Sequence, residues 1–312
     1  MDPLRGMAES TGYFTRPQVL HLGYDDNAIA RACRTGAWHR IRPGAYTFSD
    51  LWPPTAEARQ RLTGHVVADR LAPNVALSHV NAALEHGLPV WGYDLSLTHV
   101  TRLDGGAGRT EAGVVHHEGL TIAEDLVRIG GRLVMKPVRA AAETASLGSS
   151  EAALSLFDAL LHLGKGTSEM LEGTYATLEH WPDMQKLQVP LLMADPRPES
   201  VGESRSRWLF FTQGLPAPEL QYSVYDDHGR LLGTTDFAWP EHELFGEFDG
   251  KVKYLRYPRE GETPGDAVFR EKRREQLLCE RTGWRMVRLV WADLYSPVQT
   301  AARIRRFMRQ AA

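Results

Sequence analysis

The segment from Gly233 to Tyr254, GTTDFAWPEHELFGEFDGKVKY, joins two apolar stretches through a Pro-bearing turn and plants carboxylates in both. Asp236 lies in the first, Glu247 and Asp249 in the second. Carboxylates are among the residues least often buried unless paired or metal-bound. A hairpin made of these stretches must therefore supply them with a partner. Side chains alternate along a strand, so Glu247 and Asp249 share a face and Asp236, on the preceding antiparallel strand, can stand opposite. Glu203, from a flanking helix, can complete the cluster. Converging carboxylates repel unless a cation is present, and hard oxygen ligands with open positions suit Mg²⁺ or Mn²⁺. Such an ion lowers the pKa of a bound water and stabilises a phosphoryl transition state. A plainer reading is also open: Asp249-Gly250 as a turn, with Glu247 on an exposed edge strand.

A chain of 312 residues exceeds one small core, and two or three domains are expected. The net charge of -3 gives no global pull toward nucleic acid or anionic membrane, so any such binding must come from local patches. Cys33 and Cys279 are the only cysteines and fall in predicted helices, which excludes a disulfide framework and fits a reducing compartment. The first residues, MDPLRGMAESTGYF, lack the apolar core of a signal peptide, and no apolar run approaches 18 residues. The expectation is a cytoplasmic protein with no membrane partner.

Three blocks separate by pattern. In the first, about Thr11–Ser49, a helix is predicted over Arg16–Leu20, and a second one, capped by Asp25 or Asp26, runs to about Arg34 and ends at Gly36. Ala28, Ile29, Ala32 and Cys33 form its inward face; Asn27, Arg31 and Arg34 point away. AWHRIRPGAYTF reads as a hairpin turning at Pro43-Gly44. Helix, turn, helix and basic hairpin make a winged helix-turn-helix pattern. Between Asn27 and Phe48 the charged residues are Arg31, Arg34, Arg40 and Arg42, with no acid among them. That placement lets the helix enter a major groove of double-stranded DNA while the hairpin meets phosphate.

The middle block, about 51–195, is predicted to hold helices at TAEARQRLTGHVVADRL and NVALSHVNAALEHGL, strands at LSLTHVTRL and GVVHHEGL, and two helices broken at Gly148. A Pro- and Gly-bearing boundary, MADPRPESVGES, follows. His79, His86, His99, His116 and His117 lie in this block, but they show no HExxH and no matched ligand spacing. They are read as structural or exposed histidines. Ser78 and His79 sit in no G-x-S-x-G elbow. The third block, 196–312, reads as a helix at about Glu203–Gln213, strands at Leu220–Tyr225, Leu231–Trp239 and Glu243–Asp249, a helix at about Asp266–Thr282, a strand in WRMVRLVW and a last helix over Pro297–Arg309.

The third block, with its αβββαβ order and its GES, TDF and EFDGKVKY segments, resembles the PD-(D/E)XK nuclease superfamily, and within it the very-short-patch-repair-like and DUF559 domains. The resemblance implies Asp236 as the strand carboxylate, Glu247 as the first residue of the (D/E)-x-K element and Glu203 as the helix acid. Asp249 stands where the lysine belongs, and Lys251 follows two residues later; Lys253 or Lys272 are further sources of positive charge. The N-terminal part, FTRPQVLHLGYDDNAIARACRTGAWHRIRPGAYTF with LSHVNAALEHGLPVWG and HVTR, resembles AbiEi-type proteins, the antitoxins of type IV toxin–antitoxin systems and related regulators. Together the resemblances imply an α/β (α+β) chain in three parts: a winged helix-turn-helix at 1–50, an AbiEi-like α/β domain at 51–195 and a PD-(D/E)XK-like domain at 196–312. They imply sequence-specific DNA binding by an antitoxin-like repressor, with a cognate toxin as a second partner. The rival readings are an Mg²⁺- or Mn²⁺-dependent endonuclease and a non-catalytic scaffold for a protein partner.

Overall fold

The computed structural model describes residues 2–119, 121–250 and 264–309. They fall into two compact units: 1–148 with 173–178, and 149–172 with 179–312. The parting at Gly148 and Ser149 differs from the expected boundary near Met193–Gly202. The reason is the second helix of the broken pair, which packs with Val201–Thr212 of the last block and with Gln188–Met193 at the end of the middle one.

The first unit opens with helix α1 (Pro3–Thr11), which the sequence reading does not anticipate. Its start is nonetheless encoded: the Asp2 side chain accepts from the Leu4 N–H, and Pro3 needs no donor at that position. A short strand β1 (Phe14–Thr15) leads into α2 (Arg16–His21) and α3 (Asp26–Arg34). The Asp25 side chain caps α3 at the Ala28 N–H, as the sequence predicts. The hairpin is β2 (Trp38–Arg42) and β3 (Ala45–Phe48), turning where Gly44 takes φ 80°, a conformation costly to any side chain with a Cβ. These three strands form an antiparallel sheet in the order β1-β3-β2. Leu4, Phe14, Val19, Ile29, Trp38 and Tyr46 make its core, with Ala32 and Cys33 packed against it, so α3 buries the face its periodicity predicts.

The same unit continues into a six-stranded mixed sheet. Its strands are β4 (Val75–Leu77), β5 (Thr98–Arg102), β6 (Arg109–Glu111), β7 (Val114–His117), β8 (Leu126–Ile129) and β9 (Arg132–Met135), in the order β6-β7-β5-β4-β9-β8. Helices α4 (Ala56–Leu71), α5 (His79–Glu85) and α6 (Pro137–Leu147) accompany it. The helix expected across NVALSHVNAALEHGL is corrected here: its first third is strand β4, all three residues buried between β5 and β9. Three apolar residues in a row satisfy either period, and a strand enclosed on both faces shows no alternation.

The second unit contains α7 (Ser150–His162), α9 (Gln188–Met193), α10 (Val201–Thr212) and a four-stranded sheet; α8 (Ser168–Leu178) straddles the two units. The sheet consists of β10 (Glu219–Tyr225), β11 (Leu231–Trp239), β12 (Leu244–Phe248) and β13 (Arg285–Leu289), paired in that order. The first three are antiparallel neighbours, whereas β13 runs parallel to β12 after a crossover containing α11 (Pro264–Thr282). Helices α12 (Trp291–Leu294) and α13 (Pro297–Arg309) follow. The αβββαβ order expected of this block is the order found. One sheet face packs Phe237, Trp239, Leu244 and Phe248 with Leu209 and Phe210 of α10; the other packs Ala238 and Phe245 with Leu278 of α11. Helix α7 joins α10 through two ion pairs, Asp158 Oδ2 to Arg207 Nη1 at 2.6 Å and Glu151 Oε1 to Arg205 Nε at 2.7 Å. No described helix is long and apolar enough to cross a membrane.

Candidate functional site

Three groups of side chains carry the candidate chemistry. The first lies on α3 and the hairpin. Asn27, Arg31 and Arg34 recur at i, i+4 and i+7 and are all exposed. Arg40 is exposed on β2, and among the described residues no carboxylate pairs with Arg31, Arg34 or Arg40. Arg16, at the start of α2, clasps Asp26 at the start of α3 with two hydrogen bonds of 2.8 and 2.7 Å, fixing one helix start against the other. Arg42 departs from the other arginines. It is half-buried and donates to the Ala112 carbonyl, in the β6–β7 turn, at 2.6 Å. Burial, followed by the neighbouring Arg70 charge, holds its pKa below the ordinary arginine value. It props the hairpin on the adjacent sheet, whereas Arg40 faces solvent.

The second group is the carboxylates. Glu247 is on an inner strand and buried, so the exposed-edge reading does not hold for it. Strand register sets Ala238 opposite Phe245 on the α11 face, and alternation places Asp236 and Glu247 on that same face. The Asp236 Oδ2 accepts the Phe248 N–H at 2.7 Å, bonding the two strands one residue beyond their last register pair. Among the described residues, arginines pair with Glu247. Arg274 of α11 donates to Glu247 Oε1 and, at 2.8 Å, to the Thr234 carbonyl. Arg288, directly across on β13, stands 3.6 Å from Glu247 Oε2, 3.6 Å from Asp249 Oδ2 and 2.7 Å from Glu275. Glu203 is buried at the start of α10. It accepts from Ser200 Oγ at 2.7 Å, the Glu199 N–H at 2.9 Å and Gln221 Nε2 of β10 at 3.2 Å. Among the described residues these four carboxylates form no three-ligand group close enough to share an ion. Lys251 and Lys253 lie outside the described residues; Lys272 is exposed on α11. Arg274 and Arg288 were not singled out from the sequence, although Arg288 sits in an alternating strand where its direction toward the α11 face could be read.

The third group is one the sequence reading set aside. His79, His99 and His117 offer ligand nitrogens that all lie within 4.8 Å of one another. Parallel pairing of β5 with β7 sets His99 opposite Val115 and Thr101 opposite His117, so both histidines share a face. His79 begins α5 above that face. The His79 and His117 rings stack at 3.6 Å, and His99 Nδ1 is 2.9 Å from His117 Nε2. Burial, with the other imidazoles second, keeps His79 well below its ordinary pKa. Burial likewise pulls His99 and His117 down to about 4. The remaining two histidines stand apart: His86 Nε2 bonds the Met135 carbonyl at 2.7 Å, and His116 belongs to the opposite face of β7.

The exposed arginines thus lie on the second of two consecutive N-terminal helices, beside a basic hairpin. Residues 8–49 match the family described as transcriptional regulator, AbiEi antitoxin. Over 236 residues the chain is 31% identical to uncharacterized protein Rv2248 of Mycobacterium tuberculosis (strain ATCC 25618 / H37Rv), covering 75% of this chain and 83% of that one. Uncharacterized protein MT2308 of strain CDC 1551 / Oshkosh matches to the same extent. The chain belongs to the family of these mycobacterial proteins. The crystal structure of the RV2827C protein from Mycobacterium tuberculosis overlaps 71% of this chain and 87% of its own at 14% identity and a TM-score of 0.38, a likeness too distant to carry an argument.

Proposed function

We propose that the chain is an antitoxin-type transcriptional regulator that binds double-stranded DNA in a sequence-specific way, with α3 of a winged helix-turn-helix in the major groove. The observation that carries the reading is the stripe of Asn27, Arg31 and Arg34, exposed on the second helix of the pair and, among the described residues, without carboxylate partners. Arginine binds guanine edges and phosphates through two donors at once, and asparagine does the same for adenine. The match of residues 8–49 to the AbiEi antitoxin family supports it. A cognate toxin is the second partner this reading implies. Selection of binding sites from a random duplex pool, followed by fluorescence anisotropy, tests the proposal. A recovered motif bound about 10³-fold or more tighter than bulk duplex is the expected result. Binding of all duplexes alike would remove the regulator reading.

A second reading keeps the C-terminal sheet as an Mg²⁺ or Mn²⁺ site of a PD-(D/E)XK-like endonuclease. It is favoured by Asp236 and Glu247 sharing a face of adjacent strands in an αβββαβ unit. Nicking of supercoiled plasmid in Mg²⁺ or Mn²⁺, abolished by Asp236→Asn, is its expected outcome. Intact plasmid would leave this unit as a scaffold for a protein partner.

A further inference from the structure

Three imidazoles in mutual contact, His79 and His99 buried and His117 partly so, are an unusual way to fill an interior. Each carries polar nitrogens that must be satisfied, and histidine is far from the most compact apolar filler. His79, His99 and His117 come from three elements, α5, β5 and β7, so no local sequence constraint forces them together. Within one unit they are brought to ligand spacing.

We propose that His79, His99 and His117 bind a divalent transition-metal ion of the zinc class, in a three-histidine site whose fourth position takes water or an external donor. Imidazole is the preferred ligand of such ions, and three imidazoles with an open position are an established zinc arrangement. At metal–nitrogen distances of about 2.0–2.1 Å, tetrahedral ligands stand about 3.3 Å apart. The His99–His117 nitrogen separation of 2.9 Å opens to that value by a few tenths of an ångström.

The surroundings resemble those of a ligand set. The Glu143 carboxylate accepts the His79 N–H at 3.4 Å and lies 3.6 Å from His79 Nδ1, which is also 3.0 Å from Ser78 Oγ. Arg139 anchors Glu143 at 2.8 Å and is itself tied to Asp125. A carboxylate that orients a ligating histidine is the usual outer partner of a metal site. His79 also has φ 47°, a left-handed backbone that a non-glycine residue adopts only under constraint. The surrounding fold holds it there, and its imidazole is one of the three. Neither the arginine face of α3 nor the C-terminal carboxylates enter this argument, so the site stands or falls apart from the proposed DNA binding.

The full-length protein, stripped with chelator and titrated with Zn²⁺, should bind one ion per chain in the histidine site, and Co²⁺ in its place should give the visible spectrum of a tetrahedral nitrogen-ligated ion. His99→Gln and His117→Gln should lose both signals, whereas His86→Gln and His116→Gln should keep them. Glu143→Gln should weaken binding about 10–100-fold. His117→Cys should restore the binding that His117→Gln loses, because a thiolate ligates and an amide does so poorly; a purely packing role gives cysteine no such advantage. Should the Gln variants fail to fold, the Cys variant and the wild-type titration still decide. Absence of stoichiometric binding by folded wild type, or binding that survives His99→Gln and His117→Gln, overturns the proposal.

Discussion

At the scale of single residues, the four hairpin and helix arginines divide by partner, and that division predicts different defects. Arg31→Ala or Arg34→Ala should weaken binding to the selected sequence by about 1–3 kcal/mol if a paired base contact is lost, with little change on other duplexes. Arg40→Ala should weaken binding to all duplexes and reduce the salt slope by about one. Arg42→Ala should lower the melting temperature and barely alter the salt slope, because its guanidinium is spent on the Ala112 carbonyl. Anisotropy across a salt series and thermal denaturation separate the three outcomes. Glu85 gives a prediction in pH. Burial alone would raise its pKa, but hydrogen bonds from His65, at 2.6 Å, and Arg61 outweigh burial and depress it. A carboxyl depressed on folding contributes stability that is full above its ordinary value and is lost as pH falls through the folded value. The stability difference between wild type and Glu85→Gln, from urea melts, should therefore shrink on acidification below about 4.5, the ordinary value. A constant difference would assign Glu85 a packing role alone.

At the scale of elements, the docking of α10 on its sheet depends on the absence of one side chain. A Cβ placed on Gly202 would meet the Phe248 ring at 2.0 Å. Gly202→Ala raises helix propensity on paper, yet it should destabilise by about 1–3 kcal/mol through overpacking. Chemical denaturation reads the sign, and a stabilised variant would mean that α10 shifts freely. The elements also show what the sequence discloses. β11 and α13 fall on the expected residues, Leu231–Trp239 and Pro297–Arg309, because long periodic stretches bounded by turns leave one solution. β4 was concealed in an apolar run, and α1 by Gly6, although Asp2-Pro3 was a legible start. Asn27, Arg31 and Arg34 were legible as one helix face from spacing alone. The histidine trio was not: its members are 20 and 18 residues apart, and only the register of β5 on β7 brings them together. The arginines at Glu247 were hidden likewise, since α11 and β13 supply them from outside the hairpin.

At the scale of the whole molecule, neither unit is a continuous stretch of chain. A cut near Ala194, attractive from the Pro-rich sequence there, would leave α7 without α10. Asp158 would lose Arg207, and a buried ion pair broken on one side costs about 3–5 kcal/mol. Fragment 1–194 should accordingly be poorly soluble and melt without cooperativity, as judged by circular dichroism; a soluble fragment with a cooperative melt would mean that α7 does not depend on α10. In the full chain, Asp158→Ala should destabilise by the same order and leave Zn²⁺ binding unchanged. The pairing of α7 with α10 also has a consequence in time. Asp158 and Arg207 are separated by 49 residues. At about 5–20 residues per second, a ribosome delivers the acid roughly 2–10 seconds before its cation. During that interval a helix rich in leucine and alanine is fully made and still lacks its α10 partner. The nascent protein at this stage is the form most exposed to aggregation, to chaperones and to proteases, so synonymous changes that slow translation between those two codons should lower yield without altering one residue of the product.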